Sequence, residues 1–225
     1  RRFRVITPAQ MMGMYKAGAE VMMGRSVEIA DRFGIHITVK LSPSFGLSDG
    51  GTVIKNPATD GIESAEYTEC AGLGIKRKIG IIKIAGLADS PGTAYKLFKG
   101  IDINIIEIIQ SPTEPGELAS VAVILRRQDM AKVVEKLNKI RARDERFSTM
   151  AIYCYEDLVI LTLVDLAMID SMGYIRKMLA VLAEKSINIE AIFSAESRLG
   201  VVVREAVYKK AAQALAMEFG LINNS

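Results

Sequence analysis

The chain has 225 residues, half of them hydrophobic and 24% charged, enough for one or two domains with a proper core. Lys and Arg number 29 against 26 Asp and Glu, and a net charge of +3 is too small to argue for nucleic acid. Two cysteines, Cys70 and Cys154, stand in no metal or redox spacing, which predicts two buried thiols in a reducing compartment.

No apolar run reaches the roughly 20 residues of a membrane span; 159–163, for example, is soon broken by Asp165. The first residues, RRFR, run into a capped helix rather than a signal peptide, so the expectation is no membrane and a cytoplasmic protein. The pair Thr7-Pro8 sets up that helix, Thr as N-cap and Pro at the first position, running to about residue 23. A second helix is expected over 25–33, ended by Gly34, and a strand over 35–41, where His36 falls on the polar side of the alternation. The methionines at 11, 12, 14, 22 and 23 read as core or interface filler. Residues 42–51 read as a loop, 52–55 as a short strand, 57–65 as a linker and 66–76 as an extended segment.

The stretch 79–110 reads strand, glycine-bearing loop, short helix, strand. Asp89 or Ser90 can cap the helix, with Pro91 at its first position and Gly100 at its end. A loop of small residues at a helix start beside a strand end suits the carboxylate of a small ligand. The backbone from Asp89 through Ser90, Pro91, Gly92 and Thr93 to Ala94, with the Gln110 side chain, is therefore a candidate binding group. A surface role for Gln110 is the plain alternative.

The stretch 158–193 repeats this order, Gly92 and Gly173 corresponding 81 apart and Asn104 and Asn188 84 apart. The difference of three predicts a first helix shorter by about one turn. In the second copy the counterparts are Asn188, Glu190, Ser194 and Glu196; Asn104 and Asn188 can instead simply turn the chain into a strand.

A strand at 118–125, an amphipathic helix at 128–140 and a strand at 147–155 complete a β-α-β-β-α-β unit. The second unit (strands 159–164, 187–192 and 199–204, helices 174–185 and 206–219) lacks its last strand, and 66–76 is the expected substitute, which makes the first unit an insertion in the second. The expected class is α+β. No P-loop, nucleophile elbow or His-Glu-x-x-His motif occurs, so no catalytic residue and no metal ligand is assigned.

With these residues in view, the chain resembles aspartate kinases in their C-terminal part. ADSPGTAYKLF with DINIIEIIQ is similar to that family's D-x-P-G-x-A…F and INVDMIVQ; MGYIRKMLAVLAEKSINIEAIFSAE and the closing VVVREAVYKKAAQALAMEFGL resemble its second unit. Upstream, YKAGAEVMMGRSVEIADRFGIHITVK is similar to the end of its kinase domain and GGTVI to its PGTLI, so the resemblance runs from about residue 7 to 221. It implies two ferredoxin-like ACT units, the first (77–156) inserted into the second (157–225 with strand 66–76), after a fragment of an α/β amino-acid-kinase domain (1–56). It further implies an effector amino acid, lysine or threonine, bound by Asp89–Thr93 and Gln110 facing Asn188 and Ile189 of the other unit. A homodimer through ACT sheets, a kinase domain of the same protein as partner, and ATP and Mg for the complete kinase follow from it too. The family's Lys-Phe-Gly-Gly kinase motif is absent, and Ile106 stands where many relatives carry an acid that Glu190 keeps in the second unit. The alternatives are a stand-alone sensor or dimerisation module without kinase activity, and a bifunctional kinase–dehydrogenase.

Overall fold

The computed structural model describes residues 3–19, 21–40, 51–55, 72–111, 113–114, 116–164, 171–195 and 198–222. The expected linker, residues 66–71 of the extended segment, most of the 42–51 loop, Cys70 and the candidate Glu196 lie outside them. The chain forms two compact units: Arg77–Val159, and Arg1–Lys76 together with Ile160–Ser225. The first therefore lies, in sequence, between the two segments of the second.

The 77–159 unit is built from β4 (Gly72–Leu87, entering from the other unit), α3 (Thr93–Phe98), β5 (Ile105–Gln110), β6 (Ala119–Arg126), α4 (Met130–Arg143) and β7 (Ala151–Val164, leaving into the other unit). Its strand order is β5-β6-β4-β7, with β6 antiparallel to both β4 and β5. In β4, Ile82 and Ile84 are buried and Lys83 between them is exposed, as alternation requires. Those isoleucines join Val121, Val123 and Leu125 of β6, Leu97 of α3, and Val133 and Leu137 of α4 in one core. Both helices thus cover the same face of the sheet, the ferredoxin-like α+β arrangement.

The other unit begins with β1 (Val5–Ile6), α1 (Pro8–Lys16), α2 (Gly24–Arg32), β2 (Ile37–Val39) and β3 (Thr52–Ile54), the strands in order β1-β3-β2. Thr7 caps α1 in a reciprocal box: its hydroxyl accepts from Gln10 N–H at 3.1 Å, and Gln10 Oε1 accepts from Thr7 N–H at 2.8 Å. Ile6, Met11, Val27 and Ile54 form the small core beneath. The unit continues with α5 (Ser171–Glu184), β8 (Ala191–Ala195), β9 (Arg198–Arg204) and α6 (Tyr208–Glu218), in sheet order β4-β7-β9-β8. α5 and α6 pack together, Tyr174 stacking on Phe219 at 5.8 Å. The end of α1 meets the start of β4 where a Cβ on Gly74 would lie 2.4 Å from that of Ala17, so only glycine fits there.

Several expectations are corrected. α1 ends at Lys16 rather than near 23, because Gly18 turns at φ +107°. The strand expected to open the stretch 79–110 and residues 72–76 of the extended segment are one strand, β4; likewise 147–155 and 159–164 merge into β7, while Phe147 itself lies in a 3-10 turn. Each long strand carries one left-handed residue near the passage between units, Lys78 at φ +58° and Asp157 at φ +56°. These redirect the chain without ending the strand. The repeat helices have 6 and 14 residues, so the first is shorter by about two turns rather than one. Cys154 is exposed rather than buried.

Candidate functional site

Antiparallel pairing of β4 and β5 to the same strand, β6, makes those two parallel to each other. Leu87 at the end of β4 faces Ala119, and Gln110 at the end of β5 faces Val121, two residues along β6. The loop that leaves β4 and the carboxamide that closes β5 therefore sit at one end of the same sheet. Gln110 is exposed there, as are Asp89, Ser90, Pro91, Gly92 and Ala94, and Thr93 is half-buried.

The loop is wound by its own hydroxyls. Thr93 Oγ1 donates to the Ala88 carbonyl at 3.0 Å and lies 3.0 Å from Ser90 Oγ, while Thr93 N–H donates to Ser90 O at 3.2 Å. This turn moves the helix start from the expected Pro91 to Thr93. The residue at the N-cap is Gly92, left-handed at φ +89°, and neither Asp89 nor Ser90 caps with its side chain. With Thr93 N–H already given to Ser90 O, no side chain of the loop caps the amides that follow it.

In the other unit the second set spreads along β8. Glu190 stands just before the strand, its N–H donating to Val202 O at 2.8 Å, with Asn188 and Ile189 ahead of it. Ser194 lies toward the far end and is exposed, four residues from Glu190. These residues are therefore not gathered at one point. Arg204, the last residue of β9, holds Glu190 at both oxygens, Nε to Oε1 at 2.7 Å and Nη2 to Oε2 at 3.4 Å. Sequence reading does not single out Arg204, because cross-strand adjacency becomes visible only once the register is known. The Glu190 carboxylate thus already has a cationic partner on the neighbouring strand.

Strand register tests the repeat independently. The 3-10 turns after β6 and β9 begin at Arg127 and Glu205, 78 apart, so Val121 corresponds to Leu199. Gln110 faces the first and Ser194 the second, which makes Gln110 and Ser194 equivalent at the 84-residue offset. The same count sets Ile106 against Glu190 and Arg126 against Arg204.

No group of three or more His, Cys, Asp or Glu able to hold a metal occurs among the described residues. No helix of those residues is long and apolar enough to cross a membrane.

The ACT domain family matches residues 161–219. Aspartokinase of Mycolicibacterium smegmatis is 30% identical over 228 residues, 98% of this chain and 52% of that protein. Aspartate kinase of Clostridium acetobutylicum superposes at a TM-score of 0.77 over 97% of this chain and 48% of its own, at 16% identity. The lysine- and aspartate-bound T-state of E. coli aspartokinase III gives 0.67 over 96% of this chain and 46% of its own, at 18% identity. At these identities the structural likenesses speak for the fold. The chain spans about half the length of the curated relatives it matches. Taken with the strand order of the two units, the matches identify the chain as the ACT-bearing regulatory region of the aspartokinase family, corresponding to its C-terminal part.

Proposed function

We propose that this region senses an end-product amino acid, lysine or threonine, and regulates an aspartate kinase that makes 4-phospho-L-aspartate from aspartate and ATP. The observation that carries the reading is the meeting of the β4–α3 loop and Gln110 at one sheet end, on either side of Ala119 and Val121. Within Asp89–Ala94, where Pro91 has no N–H and Thr93 N–H is given to Ser90 O, the amides of Asp89, Ser90, Gly92 and Ala94 suit the effector's α-carboxylate, and the Gln110 carboxamide can accept from its ammonium. Asn188, Ile189, Glu190 and Ser194 are assigned to the same task. The lysine-bound E. coli relative supports lysine as the first effector to try.

On this reading residues 1–56 are the end of an amino-acid-kinase domain and 57–65 a linker. Residues 66–76 supply the last strand of the second ACT unit, 157–225, into which the first, 77–156, is inserted. ATP and Mg belong to the complete cytoplasmic kinase, which assembles as a homodimer through ACT sheets. The effector acts only by binding two arrangements of the protein with different affinity. A stand-alone sensor shares all of the binding chemistry and differs only in having no kinase to report to.

Calorimetric titration with lysine, threonine and methionine in turn tests the proposal. One of the first two should bind saturably, and Gln110→Ala should weaken it at least ten-fold. Affinity untouched by that substitution would remove the assignment.

A further inference from the structure

At the far end of α3 from the effector loop, the 77–159 unit carries an open cleft of about 330 Å³. Lys96 comes to it from α3 and Lys99 from the residue that ends that helix, Lys139 and Arg143 from the last turns of α4, and Arg146 from the 3-10 turn that follows. The one carboxylate in the lining, Asp144, is held by Arg146, whose Nε donates to it at 2.8 Å. Lys139 is paired with Glu135, outside the lining, at 2.5 Å. Ile140 and the buried Phe147 form an apolar floor, against which long cationic stems can lie with their heads in water.

The charge count decides that this is more than an ordinary solvated helix end. The lining holds five cations and one carboxylate, while the whole chain holds 29 and 26. The remainder of the chain is therefore 24 against 25, a net of −1, so the cleft carries an excess of four where the rest of the sequence carries none. Basic residues at the end of α4 complement its dipole, which accounts for Arg143. It does not account for two lysines at the end of a different helix turned to the same space. The two sides are also tied together, since Lys136 of α4 donates to the Gly100 carbonyl just past α3. The charges converge before any ligand arrives, so little ordering is left to be done on binding.

We propose that this cleft is a binding site for a small multivalent phosphate, a nucleoside polyphosphate or an inorganic polyphosphate. With Asp144 and Glu135 serving Arg146 and Lys139, three lining cations have no carboxylate beside them: Lys96, Arg143 and Lys99, whose ammonium lies 5.8 Å over the exposed Tyr95 ring. A single carboxylate would leave two of these uncompensated, whereas a di- or triphosphate meets all three. Arg143 supplies the planar fork that matches phosphate oxygens, and the lysines act as point charges. The site is distinct from the effector residues and does not depend on their assignment.

The test is calorimetric titration of the chain with sodium tripolyphosphate and, separately, with ATP, at 20 and 200 mM NaCl. Saturable 1:1 binding of tripolyphosphate is expected, weakening about ten-fold or more between the two salts as screening sets in. Equal affinity for ATP would identify the phosphate chain as the recognised part; tighter ATP binding would add a base or ribose contact over the apolar floor. Lys96→Gln/Lys99→Gln/Arg143→Gln should lose at least ten-fold in affinity with an unchanged melting temperature. The charge-matched control Lys132→Gln/Lys177→Gln/Lys209→Gln, all exposed and outside the cleft, should bind as the parent does. Absence of saturable binding, or equal weakening by the control, would overturn the proposal.

Discussion

Glu190 and Arg204 close the β8–β9 pair as a two-contact ion pair at 2.7 and 3.4 Å, the carboxylate 18% exposed and the guanidinium 49%. A half-exposed pair of this kind contributes about 0.5–1 kcal/mol. A double-mutant cycle of Glu190→Gln and Arg204→Gln, read by chemical denaturation, should return a coupling of that size. In 0.5 M NaCl it should shrink, because exposed charges are screened.

The first repeat lacks this pair. Register sets Ile106 in the place of Glu190 and Arg126 in the place of Arg204, with a bulge between Ile105 and Glu107. Ile106→Glu should therefore couple favourably to Arg126 in a cycle with Arg126→Gln, again by about 0.5–1 kcal/mol. The single substitution costs packing, because Ile106 is half-buried. The coupling, not the net stability, is the quantity that tests the equivalence. A cycle that closes to zero would show that the bulge has turned position 106 away from Arg126.

The two repeat helices stop in the same way with different residues. Gly100 follows α3 at φ +82°, and Ser186 follows α5 at φ +54°, where Ile187 N–H donates to Leu182 O at 2.9 Å. A left-handed L-residue costs about 1 kcal/mol that glycine avoids. Ser186→Gly should raise the melting temperature, with a gain of about 0.5–1 kcal/mol. Gly100→Ala should lower it by a similar amount, and since a Cβ there meets nothing within 4 Å the loss would be purely conformational.

Those positions show what a sequence can carry. The buried alternation of Ile82 and Ile84, the spacing of Val133 and Leu137, and the Thr7-Pro8 cap are local patterns, and each marks its element. Gly100 announces a helix end because glycine is the common choice there; Ser186 does the same work unannounced. Lys78 and Asp157 are left-handed within long strands, and nothing in their neighbours signals it. The loop after β4 and Gln110 were legible as polar groups at two strand ends. Their shared sheet end follows from pairing to β6, which local sequence does not contain. The basic cleft was legible only in its α4 half, since Lys96 and Lys99 lie about 40 residues earlier in the chain.

Gly80 sits on β4 beneath α4, and a Cβ there would come within 2.0 Å of Met130 Sδ and 2.9 Å of its Cε. Gly80→Ala should destabilise by about 1–3 kcal/mol, the usual cost of overpacking. Met130→Ala alone should cost about 2–5 kcal/mol through the cavity it opens. The double variant should lose less than the sum, because the new methyl occupies part of the space the thioether leaves. Strict additivity in denaturant melts would mean that helix α4 has shifted as a body instead.

Cys154 offers a pH-dependent readout on β7. Partial desolvation raises its pKa above the ordinary thiol value, and the Glu156 carboxylate two residues along raises it further. The thiolate is the nucleophile, so iodoacetamide at pH 8 should alkylate Cys154 more slowly in the folded chain than in urea. Cys70→Ser isolates the signal. Glu156→Gln should speed the folded reaction by removing the second cause, all the more because Arg127, 2.9 Å from Glu156, then loses a counter-charge. The linkage runs one way: with the folded pKa raised, the thiol's contribution to stability is fully present below the unfolded thiol pKa. It is lost as pH rises through the folded value. Equal alkylation rates in folded and unfolded chains across pH 7–10 would mean that neither the sheet nor Glu156 acts on the sulfur.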